Sequence, residues 1–305
     1  MDENFSYLKK ISAYWELTRP ITHLGIITLI LSISVIASKG LPPIIPLLIS
    51  LLSLLCLNAA SNSINQFCDI KTDEISKPFR PIPRGDISLK NSLIFSIGLY
   101  ITSLVLGIFI NLQFYILLII FAIISILYSV PPFRIKRKWY LSNFSIAISR
   151  GLLLTLLGWS IVTSIWNPLP WYLGLIFTLY HFGAGTIKDF QDVEGDKKEN
   201  VITIPIKYGT KKAIKIISPF LYLPFVILIP FGIWLGIIPP LGIILILLGF
   251  WGYSISKILN KNLMYLHMHH KNTSSTCHTY IRPVYWLTLL SPIFFAAVYI
   301  VSTVL

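Results

Sequence analysis

Nine stretches of predominantly apolar residues, most of them close to the roughly 20 that cross a bilayer, leave this 305-residue chain few possible folds. They fall at about 20–39, 44–66, 91–111, 113–130, 143–165, 169–188, 214–235, 239–258 and 284–304. Inside hydrocarbon no water is available to the backbone, so each N–H and C=O must be satisfied within the protein, and an isolated span must be a helix. Charged residues make up 12% of the chain, half of the roughly 25% typical of soluble domains. The expected fold class is an all-α, polytopic membrane helical bundle in one integral-membrane domain covering 1–305. Residues 1–18 read as an interfacial segment and not as a cleaved signal, because no apolar core follows a basic start.

Charge sets the expected orientation. Lys and Arg number three in 1–19, five in 69–90, four in 131–142, seven in 187–215 and four in 257–282, which leaves only Lys39 and Arg150 elsewhere. Alternate loops are therefore basic, and the positive-inside rule makes those loops and the N-terminus cytoplasmic. The net charge of +13 is then a topology signal and an attraction for anionic membrane lipids. Nucleic acid is excluded as a partner, since no soluble basic domain exists to bind it. Three cysteines, Cys56, Cys68 and Cys277, make no disulfide framework.

All twelve acids lie on the basic side of this topology, and five of them form two clusters at span ends: Asp69 and Asp73 following Asn65, and Asp189, Asp192 and Asp196. At 100° per residue the first set covers about 80° of one helix face and the second about 60°. Converging carboxylates repel and resist ionisation unless a cation joins them. Mg²⁺ suits oxygen donors of this kind and keeps places for waters and substrate phosphates. Asn58 and Asn62 extend the first polar face into the membrane. Lys77, Arg80 and Arg84 follow the first cluster, Lys188 precedes the second, and Arg134 and Lys136 lie between, so phosphate-binding cations accompany the acids. A divalent-metal site beside lipid points to a lipid diphosphate.

Other polar residues carry less. Arg150 lies inside the fifth span, which makes it a candidate substrate contact. His181 reads as a hydrogen-bonded packing residue two turns before Asp189, although it could face an internal cavity. His267, His269, His270, Cys277 and His278 read as a surface loop, since their spacing suits zinc poorly.

The long motifs resemble the UbiA superfamily of intramembrane prenyltransferases. Asn65-Gln66-Phe67-Cys68-Asp69-Ile70-Lys71-Thr72-Asp73, with Arg80-Pro81-Ile82-Pro83-Arg84-Gly85 after it, is similar to that family's first acidic motif. Lys188-Asp189-Phe190-Gln191-Asp192-Val193-Glu194-Gly195-Asp196, continuing to Thr203-Ile204-Pro205 and Gly209, is similar to the second. Arg19-Pro20 resembles a common start of the first span, and Tyr128 to Lys136 resembles the basic loop of aromatic-acceptor branches.

The resemblance implies helices around a central cavity with cytoplasmic cap loops, and Mg²⁺ as cofactor. It implies Asn65, Asp69, Asp73, Asp189, Asp192 and Asp196 as the metal shell, with Asp69, Asp73, Asp189 and Asp192 catalytic. Arg19, Arg80, Lys136 and Lys188 become diphosphate contacts, and Tyr128 a stabiliser of the allylic cation.

The expected reaction is transfer of an isoprenyl chain from a polyprenyl diphosphate donor to a lipid or aromatic acceptor. The Tyr128–Lys136 loop favours a quinone-type aromatic ring. The segment from Lys188 to Gly209 and the basic charge favour the alternative, a glycerophosphate acceptor of ether-lipid synthesis. A cation-coupled transporter is the reading from another class, but the acids sit at the membrane rim and not at its midplane.

Overall fold

The computed structural model describes residues 3–190, 193–198, 201–268 and 278–304, and among them the backbone is helical with no strand beyond one isolated bridge. The helices are α1 (Glu3–Leu17), α2 (Ile21–Ser38), α3 (Ile44–Cys68), α4 (Ile70–Ser76), α5 (Leu89–Ile108), α6 (Leu112–Ser129), α7 (Trp139–Ile148) and α8 (Leu154–Ser160). They continue as α9 (Pro168–Thr186), α10 (Val193–Lys198), α11 (Ile204–Tyr208), α12 (Thr210–Ile217), α13 (Ile229–Trp234), α14 (Ile246–Met268) and α15 (His278–Val304). Packing divides the chain into two compact units, residues 1–27 with 45–135 and residues 28–44 with 136–305.

The first unit shows why these helices belong in lipid. Helix α5 buries Ser92, Ser96, Tyr100, Ser103 and Gly107, and exposes Ile94, Ile97, Ile101, Val105 and Ile108. That pattern is inside-out relative to a water-soluble helix. Where the solvent is as apolar as isoleucine, helices associate through close approach and hydrogen bonds. Accordingly Ser53 Oγ donates to Ser103 O (2.8 Å), Ser96 Oγ to Ala60 O (3.0 Å), and Tyr100 OH pairs with Ser125 Oγ (2.7 Å). Helices α5 and α6 begin on side-chain caps, Ser88 accepting from Asn91 N and Asn111 from Phe114 N.

The second unit is organised on α9, whose Leu173, Ile176, Phe177 and Tyr180 are fully buried. Its contacts are close enough to require glycine. A Cβ on Gly151 would lie 2.3 Å from the Thr178 backbone nitrogen, and one on Gly174 would lie 3.1 Å from Leu152 Cα. Within the same unit Ser34 Oγ donates to Gly158 O (3.0 Å) and Tyr180 OH pairs with Thr288 Oγ1 (2.9 Å).

Eight helical stretches among the described residues are long and apolar enough to cross a membrane, so the chain is a multi-pass integral membrane protein. Of the nine expected spans, 169–188 is the one outside that set. It forms the unbroken helix α9, but Pro168, Pro170, Trp171, Tyr172 and His181 dilute its apolar character. Two spans are less regular than a hydropathy pattern implies. Prolines 219, 224 and 230 divide Thr210–Trp234 into α, 3₁₀ and π segments, because each removes a backbone donor. The span Trp139–Ser160 carries a π segment at Ser149–Leu153.

Candidate functional site

In the first unit, helix α3 does not continue through the first acidic motif. It ends at Cys68, and Asp69 adopts φ −104°, ψ 13° before α4 begins. The ladder nevertheless spans this break: Asp69 N donates to Asn65 O (3.1 Å) and Asp73 N to Asp69 O (2.8 Å). The four-residue spacing of Asn65, Asp69 and Asp73 therefore survives, with a bend where one straight helix face was expected.

Each acid of this motif meets an arginine. Asp73, only 2% exposed, receives a hydrogen bond from Arg80 Nη1. Asp69 Oδ1 lies 3.2 Å from Arg134 Nη2, and that nitrogen also donates to the Cys68 carbonyl at 2.5 Å. Arg134 holds φ +36°, an uncommon backbone conformation for a residue bearing a Cβ. Asn65 Nδ2 donates to Ser129 Oγ (3.1 Å), which ties the motif to the end of α6 beside the half-buried Tyr128.

Asn58 and Asn62 serve another purpose than extending a metal face. Asn62 Nδ2 donates to Thr18 O (2.8 Å) and Thr22 Oγ1 (3.0 Å), while Asn58 Nδ2 reaches Thr22 Oγ1 (2.8 Å) and His23 Nδ1 (2.9 Å). Gln66 Nε2 donates to Leu17 O at 2.7 Å. These amides clamp the α1–α2 junction, where Arg19 holds φ +53° and its carbonyl accepts from Thr22 N (2.9 Å) and Thr22 Oγ1 (2.8 Å). Strained backbone of this kind persists only where its surroundings enforce it. The clamp was not legible as such, since amide runs in a helix do not disclose their partners.

Arg84 is committed to structure. Its Nη2 pairs with Glu16 (2.9 Å), its Nη1 donates to Phe79 O (2.8 Å), and its Nε meets Asp86. Lys9 Nζ lies 3.5 Å from the same Asp86, so the group latches α1 to the loop before α5. The hydrogen bond from Arg84, then its charge and that of Lys9, hold the Asp86 carboxyl below its usual range.

In the second unit the second motif is also irregular. Helix α9 tightens into a 3₁₀ turn, Ile187–Phe190, and α10 carries Asp196. Asp189 is buried (8% exposed), as are its neighbours Ile187 and Phe190, while Lys188 is exposed and Asp196 is half-buried. Gln191 and Asp192 lie outside the described residues. A single α-helical face for all three acids does not apply, because the 3₁₀ turn advances by about 120° per residue. Asn143 Nδ2 donates to Thr186 Oγ1 (2.9 Å) and anchors the end of α9 to α7. Lys136 is half-buried in the 3₁₀ turn Ile135–Arg137, so it and Arg134 belong to different units. Arg150 is half-buried in the π segment. The histidines at 269 and 270 and Cys277 lie outside the described residues, as do the side chains of His267 and His278.

Among the described residues no three His, Cys, Asp or Glu side chains form a preformed metal cage. The donor chemistry still fits Mg²⁺, which is commonly held by one or two carboxylates and completed by water and substrate phosphate. Paired arginines beside those carboxylates supply the forked donors that phosphate oxygens accept.

The model of the UbiA prenyltransferase family matches residues 25–262. A digeranylgeranylglyceryl phosphate synthase of Methanosphaera stadtmanae is 34% identical over 222 residues, 70% of this chain and 78% of that protein. A solved structure described as giving structural and mechanistic insights into digeranylgeranylglyceryl phosphate synthase in membranes superposes with a TM-score of 0.67 at 29% identity, covering 94% of this chain and 98% of that one. A UbiA homologue from Archaeoglobus fulgidus, bound to DMAPP and Mg²⁺, has a TM-score of 0.73 at 22% identity over 93% of this chain and 98% of that one.

Proposed function

Because the chain belongs to the UbiA prenyltransferase family, we propose that it transfers a geranylgeranyl chain from its diphosphate to the free hydroxyl of geranylgeranylglyceryl phosphate. Prenyl transfer is the family's chemistry, and it replaces the transporter reading. The acceptor rests on one observation: the relative matched over 70% of this chain at 34% identity makes digeranylgeranylglyceryl phosphate. The quinone-type acceptor favoured by the Tyr128–Lys136 loop is correspondingly less supported. Arg134 in that loop is engaged with Asp69 and the Cys68 carbonyl, which gives the loop a role on the acidic side and leaves it uninformative about an acceptor.

In this reading Asn65, Asp69, Asp73, Asp189, Asp192 and Asp196 provide the oxygen ligands of Mg²⁺. When bound, the ion neutralises charge on the diphosphate as it leaves. Arg19, Arg80, Arg134, Lys136 and Lys188 bind and orient the diphosphate oxygens, and Arg80 and Arg134 exchange part of their carboxylate bonding for phosphate. Such donors favour the charge that develops on the leaving group. Tyr128 faces the electron-poor allylic carbon, and Arg150 contacts substrate within the membrane span. The C1–oxygen bond of the donor breaks, an ether bond forms between C1 and the acceptor oxygen, and the hydroxyl proton departs. The positive-inside pattern places the N-terminus and both motifs on the cytoplasmic face.

The test is an assay of purified protein with Mg²⁺, labelled geranylgeranyl diphosphate, and parallel geranylgeranylglyceryl phosphate and aromatic acceptors. Formation of the diether, lost in Asp69→Ala and Asp192→Ala, is the expected result. Prenylation of an aromatic acceptor alone would refute the acceptor, and no product at all would refute the enzyme.

A further inference from the structure

Outside the acidic motifs, the second unit carries an imidazole on α9 and a guanidinium on the π segment packed against that helix. His181 on α9 is half-buried, between the fully buried Phe177 and Tyr180 and the half-exposed Phe182. Its Nδ1 lies 2.8 Å from the Phe177 carbonyl, an oxygen that can only accept, so Nδ1 carries the hydrogen. Nε2 is then the acceptor nitrogen, and it makes no hydrogen bond among the described residues. The edge of the neighbouring Tyr180 ring is 5.4 Å away centroid to centroid, and Arg150 stands on the π segment packed against this part of α9. The π segment that carries Arg150 touches α9 one turn before His181, with Gly151 against the Thr178 backbone. Single-turn π segments of this kind recur at functional sites.

Towards the acidic motif, α9 carries a glycine one turn after His181. His181 and Gly185 share a face of α9 at four-residue spacing, and the 3₁₀ turn that follows carries Asp189. Gly185 is half-exposed, and a Cβ built on it would meet only Ile146 Cγ2, at 3.4 Å. Five residues of α-helix and three of 3₁₀ turn place His181 roughly 13 Å from Asp189 along the chain axis. A reactive carbon joined to a diphosphate at the acidic end would extend towards His181.

We propose that His181 is the general base of the transfer, its Nε2 taking the proton of the acceptor hydroxyl, with Arg150 holding the acceptor's phosphate beside it. This rests on the hydroxyl acceptor argued above. As the acceptor oxygen bonds to C1 of the donor, its O–H proton passes to Nε2, and the C1–oxygen electron pair leaves with the diphosphate. With an alcohol the proton leaves the bond-forming oxygen as the bond forms, whereas with an aromatic ring it leaves the substituted carbon afterwards, so the timing of proton transfer to Nε2 is that of an alcohol acceptor.

The test compares the intact protein with His181→Gln, whose amide cannot take up a proton. Turnover should fall by roughly 10²–10⁴-fold, the usual contribution of a positioned base. The KM for the donor should stay within about twofold of the intact protein's value, by the uniform-binding criterion. The acidic limb of the kcat–pH profile should vanish, while slow Mg²⁺-dependent solvolysis of the donor persists. Unchanged turnover with an unchanged acidic limb would overturn the proposal. If His181→Gln does not fold, diethyl pyrocarbonate is applied to the intact protein and the modified histidines are mapped by mass spectrometry. Acceptor-protected modification of His181 that parallels lost transfer supports the base, and modification without loss overturns it. An intact protein that ignores glycerophosphate acceptors refutes the acceptor reading instead, so the two failures are distinguishable.

Discussion

Replacing Arg80 with methionine keeps most of the side-chain volume but removes the cation that meets Asp73. The carboxylate side chain is 3% exposed and the guanidinium 15%, so solvent screens this pair weakly. Removing one partner of a buried ion pair strands a charge, which costs about 3–5 kcal/mol. The residual exposure of Arg80 places the effect near the lower end, about 3 kcal/mol. At about 2–4 °C per kcal/mol, the unfolding midpoint in detergent should drop by roughly 6–12 °C. Mg²⁺ should then stabilise the variant more than the intact protein, because the Asp73 carboxylate no longer has a competing cation. A ligand at a hundredfold its dissociation constant contributes about 2.7 kcal/mol, so most of the loss is recoverable. Thermal melts with and without Mg²⁺ measure both effects. The double variant Asp73→Asn/Arg80→Met should be more stable than Arg80→Met alone, since no charge is left stranded. A Mg²⁺-free Arg80→Met protein melting within about 2 °C of the intact one would refute the reasoning, as would a double variant with no recovery.

Arg19→Gly separates backbone from side chain: glycine suits φ +53°, so stability should change by less than about 1 kcal/mol. The KM for the donor should rise about tenfold, as expected from about 1.4 kcal/mol of lost phosphate contact, and an unchanged KM in steady-state assays would remove Arg19 from the site. Gly151→Ala forces a Cβ to within 2.3 Å of the Thr178 backbone and should destabilise by about 1–3 kcal/mol. Gly185→Ala, whose added carbon makes only ordinary contact with Ile146, should melt close to the intact protein. The α1 latch should respond to acid: Asp86 has a lowered folded pKa, so its contribution is present above its unfolded value near 3.9 and is lost as pH falls through the folded value. Trp15 fluorescence should report α1 loosening below about pH 4, where unpaired carboxylates begin to protonate, and Arg84→Gln should remove that acid-dependent step.

Much of the architecture was legible because lipid imposes a simple rule on composition. Stretches near 20 apolar residues identify spans whatever their partners, and eight of the nine meet the criterion of length and apolarity. Helix α9 departs because it is packed against other helices, which tolerate His181 and its prolines where lipid would not. The acidic motifs were legible by spacing, but their geometry was not. A bend at Asp69 and a 3₁₀ turn at Ile187–Phe190 replace the straight helices that spacing assumes.

Hydropathy and the spacing of charges already make this chain a multi-span helical membrane protein whose acids gather in two motifs flanked by cations. Hydropathy and charge act locally, so they can be read residue by residue. How the polar residues are used follows from helix packing. Arg80 and Arg134 neutralise the first motif's acids, Arg84 latches α1, and Asn58 and Asn62 brace the turn at Arg19. The same packing sets the π segment carrying Arg150 against α9, the helix of His181, through a close contact at Gly151. Hydrogen bonds and ion pairs join residues distant in sequence, and their partners exist only once the helices have packed.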